Sequence, residues 1–195
     1  MIALAFALAF ATTPAPLRVA SYNTWLFPFV SDDFVQRRDA MPAALSALEP
    51  DVLCLQEVWD RASLGALAHH LEPRLPHLVE GGGGLALLSR YPIRDAYFEP
   101  FPDHIALSFA ERIAKKGYIA AVIETPAGYV RVLTSHLAHM RGVDRTAHRA
   151  QLDALAAALA DRKLPTIVCA DFNFRSTEQG RLSADMQVMA ALGFV

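Results

Sequence analysis

The chain has 195 residues, of which 53% are hydrophobic and 19% are charged. This is enough apolar material for one domain with a sizeable core, and too little charge for a disordered chain. The formal net charge of −2 excludes a strongly basic chain of the kind that binds nucleic acid over its whole surface, although a local basic patch is compatible with it.

The first residues predict an export signal. Residues 1–11 (MIALAFALAFA) form an apolar run of the length of a signal-peptide core, and AFA at 9–11 resembles a cleavage site, although no Lys or Arg precedes the run. The run is too short to span a bilayer as a helix. We therefore predict a leader over 1–16, a folded domain over 17–195, and a secreted or periplasmic protein, with a cytoplasmic protein as the alternative.

Strands and helices alternate along the rest of the chain. Apolar, β-rich runs predict strands over 17–23, 51–58, 84–89, 117–124, 128–135 and 165–170. Helical spacing of apolar residues predicts helices over 33–48, 62–71, 146–162 and 183–192. Because nearly all-apolar strands are covered on both faces, the pattern predicts an α/β sandwich with sheets inside and helices outside.

The two cysteines both lie inside apolar runs. Cys54 is in VLCLQ and Cys169 is in IVCAD, so we expect two small buried side chains. No Cys/His cluster accompanies them, which gives no indication of a zinc site. The sequence leaves open whether the two cysteines form a disulfide.

Polar side chains follow four of the apolar strands. Asn23 ends LRVASY, Glu57 ends DVLCLQ and His136 ends VRVLTS, while Asp171 and Asn173 follow TIVCA. Strand ends are where a sheet offers polar groups to a cleft without burying them unpaired. Because residues i and i+2 share a face, Asp171 and Asn173 can face one site together.

These residue types suit phosphoester hydrolysis. Carboxylate and amide oxygens are ligands for Mg²⁺, and Asn and His donors can stabilise negative charge that develops on phosphate. Gln56 and Glu57 point to opposite faces of their strand, so only one of them can face such a site. Each residue taken alone is also typical of a turn or a solvated strand end. Together these residues are stronger evidence for such a site than any one of them alone, because all of them follow buried strands.

The motifs at these positions resemble those of the endonuclease/exonuclease/phosphatase superfamily. SYNTW at 21–25 looks like its first motif, LQEV at 55–58 its metal-binding Q-E motif, and ADFN at 170–173 its G-D-x-N motif, with Ala170 in place of glycine. The resemblance implies an α/β fold, specifically a four-layer α/β/β/α sandwich.

Three segments resemble the sphingomyelinase branch of that superfamily: SHL at 135–137, GLALLSRYPI at 84–93, and KKGY at 115–118. In the last of these, Lys116 is implied to bind substrate, with a solvated loop lysine as the alternative. The branch implies hydrolysis of a sphingomyelin-type phospholipid. A metal-dependent nuclease is the alternative within the class, although the N-Y-x-P motif of DNA-repair members is not found. An inactive fragment or a non-catalytic binding module is the alternative of another class.

The resemblance also implies roles for the residues at the strand ends. Glu57 is expected to bind Mg²⁺, for which Mn²⁺ or Co²⁺ can substitute, with Asn23 beside it as a ligand and catalytic residue. Asp171 would orient the nucleophile or assist the leaving group. His136 and Asn173 would stabilise the transition state.

The superfamily's last catalytic segment is an S-D-H strand whose histidine is taken as the general base. Nothing after Asn173 resembles it, and His139 and His148 follow His136 in a loop and a helix start rather than at another strand end. The chain is therefore expected to be C-terminally truncated, with the sandwich incomplete in its last strands.

Four aromatic residues lie near the first two motifs: Trp25, Phe27, Phe29 and Trp59. They predict either a rim for peripheral contact with a membrane or packing in the core. The expected partner is a phospholipid or another phosphodiester, with nucleic acid as the lesser alternative, and no protein partner is implied.

Overall fold

The computed structural model describes residues 15–104, 107–139, 145–174, 177–178, 181–191 and 193. The predicted leader lies outside the described residues up to position 14. Every helix in the described part of the chain is too short or too polar to cross a membrane.

The first half of the chain forms a four-stranded sheet in the order β1-β2-β4-β3. Its strands are β1 (Val19–Leu26), β2 (Val52–Val58), β3 (His77–Glu80) and β4 (Ala86–Ser89). β1 and β2 are parallel, whereas β2, β3 and β4 pair antiparallel. Parallel neighbours need a crossover, which α1 (Phe34–Ala47) supplies, and α2 (Arg61–Leu71) follows β2.

The second half forms another four-stranded sheet in the order β5-β6-β7-β8. Its strands are β5 (Ile93–Pro100), β6 (Gly117–Thr125), β7 (Gly128–His136) and β8 (Thr166–Asp171). β7 and β8 are parallel and are connected through α4 (Arg145–Ala158). The remaining elements are α3 (Phe109–Ala114), a short pair of strands β9 (Thr177–Glu178) and β10 (Arg181–Leu182), and α5 (Ala184–Ala191).

Three apolar clusters hold these elements together. Leu55 of β2 and Leu67 of α2 belong to a cluster on the outer face of the first sheet. Leu87 and Ile119 belong to a second cluster, which lies between the two sheets. Leu155 of α4 belongs to a third cluster, which covers the second sheet. Each such fully buried side chain contributes about 1.5–3 kcal/mol of transfer free energy.

The mixed α/β class is confirmed, and the predicted elements agree with the observed ones to within a few residues. The sequence pattern does not predict β3, β5, α3 or the two-residue strands β9 and β10. β5 is an edge strand whose side chains are mostly exposed, so it lacks an apolar run. α3 has only six residues, too few for a helical period to emerge.

A buried amide links the two sheets. The side chain of Gln56 is 1% exposed, and its Nε2 donates to Ser21 Oγ (3.2 Å) and to Thr134 Oγ1 of the second sheet (3.1 Å). Glu57 faces away from this position. The expectation that only one of the two neighbours faces the candidate site is therefore confirmed.

Replacing Gln56 with Ala should lower the free energy of unfolding by about 1–3 kcal/mol, because the Thr134 hydroxyl would lose its inter-sheet partner while buried. Urea denaturation measures this change. The exposed Gln36 of α1 provides the control, and Gln36→Ala should change stability by no more than about 0.5 kcal/mol. Equal effects of the two substitutions would mean that the inter-sheet hydrogen bonds contribute nothing.

Candidate active site

The polar strand ends meet at one edge of the two packed sheets. In the first sheet Asn23 pairs in register with Gln56, next to Glu57. In the second sheet His136 pairs in register with Asp171. Because each pair of strands is parallel, their carboxyl ends lie side by side, and the packing of the sheets brings the two sets together.

Asn23 joins carboxylates from both sheets. Its Nδ2 donates to Glu57 Oε1 at 3.0 Å and to Asp171 Oδ2 at 2.8 Å. Its Oδ1 accepts a hydrogen bond from Trp25 N at 3.0 Å. This oxygen is the Asn23 atom able to bind a metal, and the role of Asn23 as a metal ligand stays a prediction.

His136 lies beneath these carboxylates and is 1% exposed. Its Nε2 is 3.5 Å from Glu57 Oε1 and 4.0 Å from Asp171 Oδ2. Asn173 Nδ2 lies 2.9 Å from the same nitrogen and Lys116 Nζ lies 3.2 Å from it, so these two donors assign Nε2 as the acceptor. Burial, followed by the charge of Lys116, lowers the pKa of His136 to about 3. The imidazole is therefore neutral at physiological pH.

Lys116 is buried beside the histidine. Its side chain is 6% exposed, and its Nζ donates to Glu111 Oε1 at 3.2 Å and to Leu137 O at 3.0 Å. Burial lowers the pKa of this ammonium group, and the charge of Glu111 opposes that effect. The alternative of a solvated loop lysine is therefore wrong, whereas substrate binding by Lys116 stays a prediction.

Glu111 is a polar residue of this region that the sequence analysis did not predict. It lies on α3, its side chain is 13% exposed, and its Oε1 also accepts from His139 N at 2.9 Å. The sequence feature that could have pointed to Glu111 is the Ser108-x-x-Glu111 spacing, which is typical of the start of a helix. Ser108 Oγ does accept from Glu111 N at 3.2 Å, but that spacing does not announce an ion pair with Lys116.

Two site residues adopt left-handed backbone conformations. Asn173 has φ 52° and its main-chain N donates to Asp171 Oδ1, a local hydrogen bond typical of Asn and Asp turns. Glu57 has φ 57°, where non-glycine residues are uncommon and often mark a functional site. Gly84, with φ 71°, packs against this turn, since a Cβ there would lie 3.2 Å from Glu57 Cα and 3.1 Å from Trp59 Cδ2.

A cleft of about 350 Å³ leads to these groups. Glu57, His136 and Lys116 lie on it, and Phe27 and Trp59 form part of its wall with ring centroids 5.6 Å apart. The cleft therefore has charged side chains of both signs at one place and an apolar wall around them. This combination suits a molecule with a charged part and an apolar part.

The donor set fits a divalent cation of the Mg²⁺ kind. Glu57 and Asp171 supply carboxylate oxygens, and Lys116, the ammonium group beside them, is already paired with Glu111. The region thus carries an excess of negative charge. Among the described residues, no three His, Cys, Asp or Glu side chains are grouped as a protein-only metal site. One or two protein carboxylates are enough for Mg²⁺, which keeps its remaining ligands as water.

Residues 20–187 match the family model of the endonuclease/exonuclease/phosphatase family. The chain belongs to this family. Among curated relatives, the inositol phosphosphingolipids phospholipase C of Schizosaccharomyces pombe is 26% identical over 195 residues, an alignment that covers 92% of this chain and 45% of that protein. The chain therefore spans about half the length of this relative.

Solved structures of the family share the fold. Sphingomyelinase C from Streptomyces griseocarneus superposes with a TM-score of 0.73 at 23% identity, over 91% of this chain and 69% of that one. A beta toxin of Staphylococcus aureus with bound magnesium ions superposes with a TM-score of 0.74 at 18% identity, over 90% of this chain and 69% of that one. TDP2 of D. rerio complexed with a single-strand DNA product superposes with a TM-score of 0.65 at 17% identity, over 91% of this chain and 65% of that one. At these identities the likeness shows the fold alone.

Replacing Asn23 with Asp should destabilise the protein in EDTA by about 1.5–3 kcal/mol. The change removes an N–H donor shared by two carboxylates and places a third carboxylate beside them. Urea denaturation at neutral pH measures it. Gln36→Glu, which makes the same amide-to-carboxylate change on the exposed side of α1, is the control and should be nearly neutral. Unchanged stability of the Asn23 variant would contradict the observed geometry.

Proposed function

We propose that this chain is the catalytic core of a divalent-metal-dependent phosphodiesterase that hydrolyses a sphingomyelin-type phospholipid. The observation that carries the proposal is the pair of carboxylates, Glu57 and Asp171, held by Asn23 next to a neutral His136. Membership of a family of phosphoesterases supports the reaction class, and the phosphosphingolipid named for the S. pombe relative supports the substrate class.

Glu57 and Asp171 would hold the metal through their carboxylate oxygens. When bound, Mg²⁺ supplies positive charge to a non-bridging phosphate oxygen, and Mn²⁺ or Co²⁺ can supply the same charge. The magnesium ions bound to the beta toxin, which shares this fold, support the choice of ion.

The remaining side chains bind and orient the phosphodiester. A phosphate oxygen at the inner end of the cleft would compete with His136 Nε2 for the protons of Asn173 and Lys116, which both lie within 3.2 Å of that nitrogen. These donors would stabilise charge developing on the phosphate, because buried donors need little reorganisation. Asp171 would orient the attacking water or assist the leaving group.

A nucleic-acid phosphodiester is the second candidate substrate, and the DNA product bound to TDP2 supports it. The cleft itself favours a lipid. Its charged wall residues include Glu57 and Glu111, while its lysine, Lys116, is buried and paired. A nucleic-acid groove needs exposed basic residues along the path of the backbone.

Exposed apolar side chains border the same cleft and support peripheral contact with a membrane. Phe29 is fully exposed and Val30 is 57% exposed, two and three residues after the cleft residue Phe27. On α3, whose residues form another part of the cleft wall, Phe109 is 81% and Ile113 is 63% exposed. Of the four aromatic residues noted in the sequence, Trp25, Phe27 and Phe29 are exposed, so core packing does not explain them. A secreted or periplasmic location remains part of this proposal.

Replacing Glu57 with Gln should reduce metal-dependent turnover by roughly 100-fold or more, since a preorganised charge at the reacting centre is lost. Release of phosphocholine from sphingomyelin in mixed micelles, with nicking of plasmid DNA in parallel, measures activity and separates the two substrates. Glu124→Gln, which removes an exposed carboxylate paired with Arg94, should leave activity unchanged. Turnover that persists in EDTA or survives Glu57→Gln would overturn the proposal, and turnover of neither substrate by the unaltered protein would favour an inactive fragment or a non-catalytic binding module.

Replacing Phe29 with Ser should weaken binding to vesicles of sphingomyelin and phosphatidylcholine by roughly tenfold or more, the value of one buried aromatic side chain. Co-sedimentation with the vesicles measures this binding. Hydrolysis of a water-soluble phosphodiester should be unaffected. The matched control is Tyr129→Ser, because Tyr129 is 52% exposed in the hairpin between β6 and β7. Equal losses for the two variants would contradict a membrane-facing rim at the cleft.

A further inference from the structure

Two cysteines that are distant in the sequence meet between the two sheets. Cys54 of β2 is 0% exposed, Cys169 of β8 is 6% exposed, and both belong to the apolar cluster that separates the sheets. Both are free thiols in the structure. Thr134, which pairs with Cys169 in register, also contacts the Cys54 thiol, so the two residues occupy the same part of the interface.

The two thiols are close enough to interact with each other. A hydrogen bond with Cys169, followed by burial, raises the pKa of the Cys54 thiol, and the hydrogen bond with Cys54 lowers the pKa of the Cys169 thiol. Cα atoms of β2 and β8 come within 8 Å of each other in places. A disulfide spans Cα separations of about 4.4–6.8 Å, which sets how closely β2 and β8 must approach at these two positions.

We propose that Cys54 and Cys169 form a disulfide that joins the two sheets when the chain folds in the presence of a small-molecule disulfide such as oxidised glutathione. The Cys169 thiolate attacks one sulfur of the oxidant, which breaks its S–S bond and releases one glutathione thiolate. The Cys54 thiolate then attacks Cys169 Sγ, and the second glutathione leaves. Two electrons pass to the oxidant, and the two thiol protons end on the released glutathiones.

The crosslink would connect the strands that carry the two carboxylates of the candidate site, because β2 leads to Glu57 and β8 ends at Asp171. It would also close a long loop, which restricts the unfolded chain more than a short loop does. The disulfide does not depend on the proposed function, because neither thiol takes part in the chemistry at the strand ends.

The test is to refold the protein with oxidised glutathione, so that the thiols react before the sheets close over them. The intact mass should fall by about 2 Da relative to the reduced protein, which corresponds to two hydrogen atoms. A peptide containing Cys54 linked to one containing Cys169 should appear in a non-reducing digest. The melting temperature should rise by roughly 5–15 °C over that of the reduced protein.

Cys54→Ala and Cys169→Ala are the matched variants. Each should have the same melting temperature with and without oxidant, and each should lose some stability in the reduced state because it removes a buried sulfur. Two titratable thiols per unfolded chain after oxidative refolding of the unaltered protein would overturn the proposal. So would a product that carries only glutathione adducts. Because the thiols are counted on the unaltered protein, this measurement tests the proposal even if one of the variants does not fold.

Discussion

A single amide group holds the candidate site together. Asn23 Nδ2 donates to Glu57 Oε1 from its own sheet and to Asp171 Oδ2 from the other. Two carboxylates brought this close repel each other. The shared N–H group and a divalent cation are the two ways of offsetting that repulsion. The fold supplies the first, and the charge that remains makes a cation the expected second.

This arrangement depends on how the two sheets pack. The register of β7 with β8 sets His136 opposite Asp171, and the register of β1 with β2 sets Asn23 beside the Gln56–Glu57 pair. Gln56 then fixes one sheet on the other through Thr134, while Glu57, in a left-handed backbone conformation, lies on the cleft. Burial of His136 follows from the same packing and keeps its ring neutral. A local change at the sheet interface should therefore be felt at the site.

Much of this was predictable from the sequence, because strand ends in a buried sheet are constrained. Nearly all-apolar strands followed by Asn23, Glu57, His136 and Asp171 predict both the layered α/β architecture and a cluster of polar groups at one edge. The partner of Lys116 was not predictable, since Glu111 lies on a helix of six residues whose position depends on tertiary packing. The meeting of Cys54 with Cys169 was equally hidden, because pairing between the faces of two sheets leaves no local pattern.

If the proposed function is right, the residues at the four strand ends surround one divalent cation. The most direct measurement is anomalous X-ray diffraction from crystals grown with Mn²⁺, whose absorption edge identifies the ion. We expect one dominant anomalous peak within coordination distance, about 2.0–2.3 Å, of carboxylate oxygens of Glu57 and Asp171. A peak bound elsewhere on the protein, with these two carboxylates still joined only by Asn23, would contradict it.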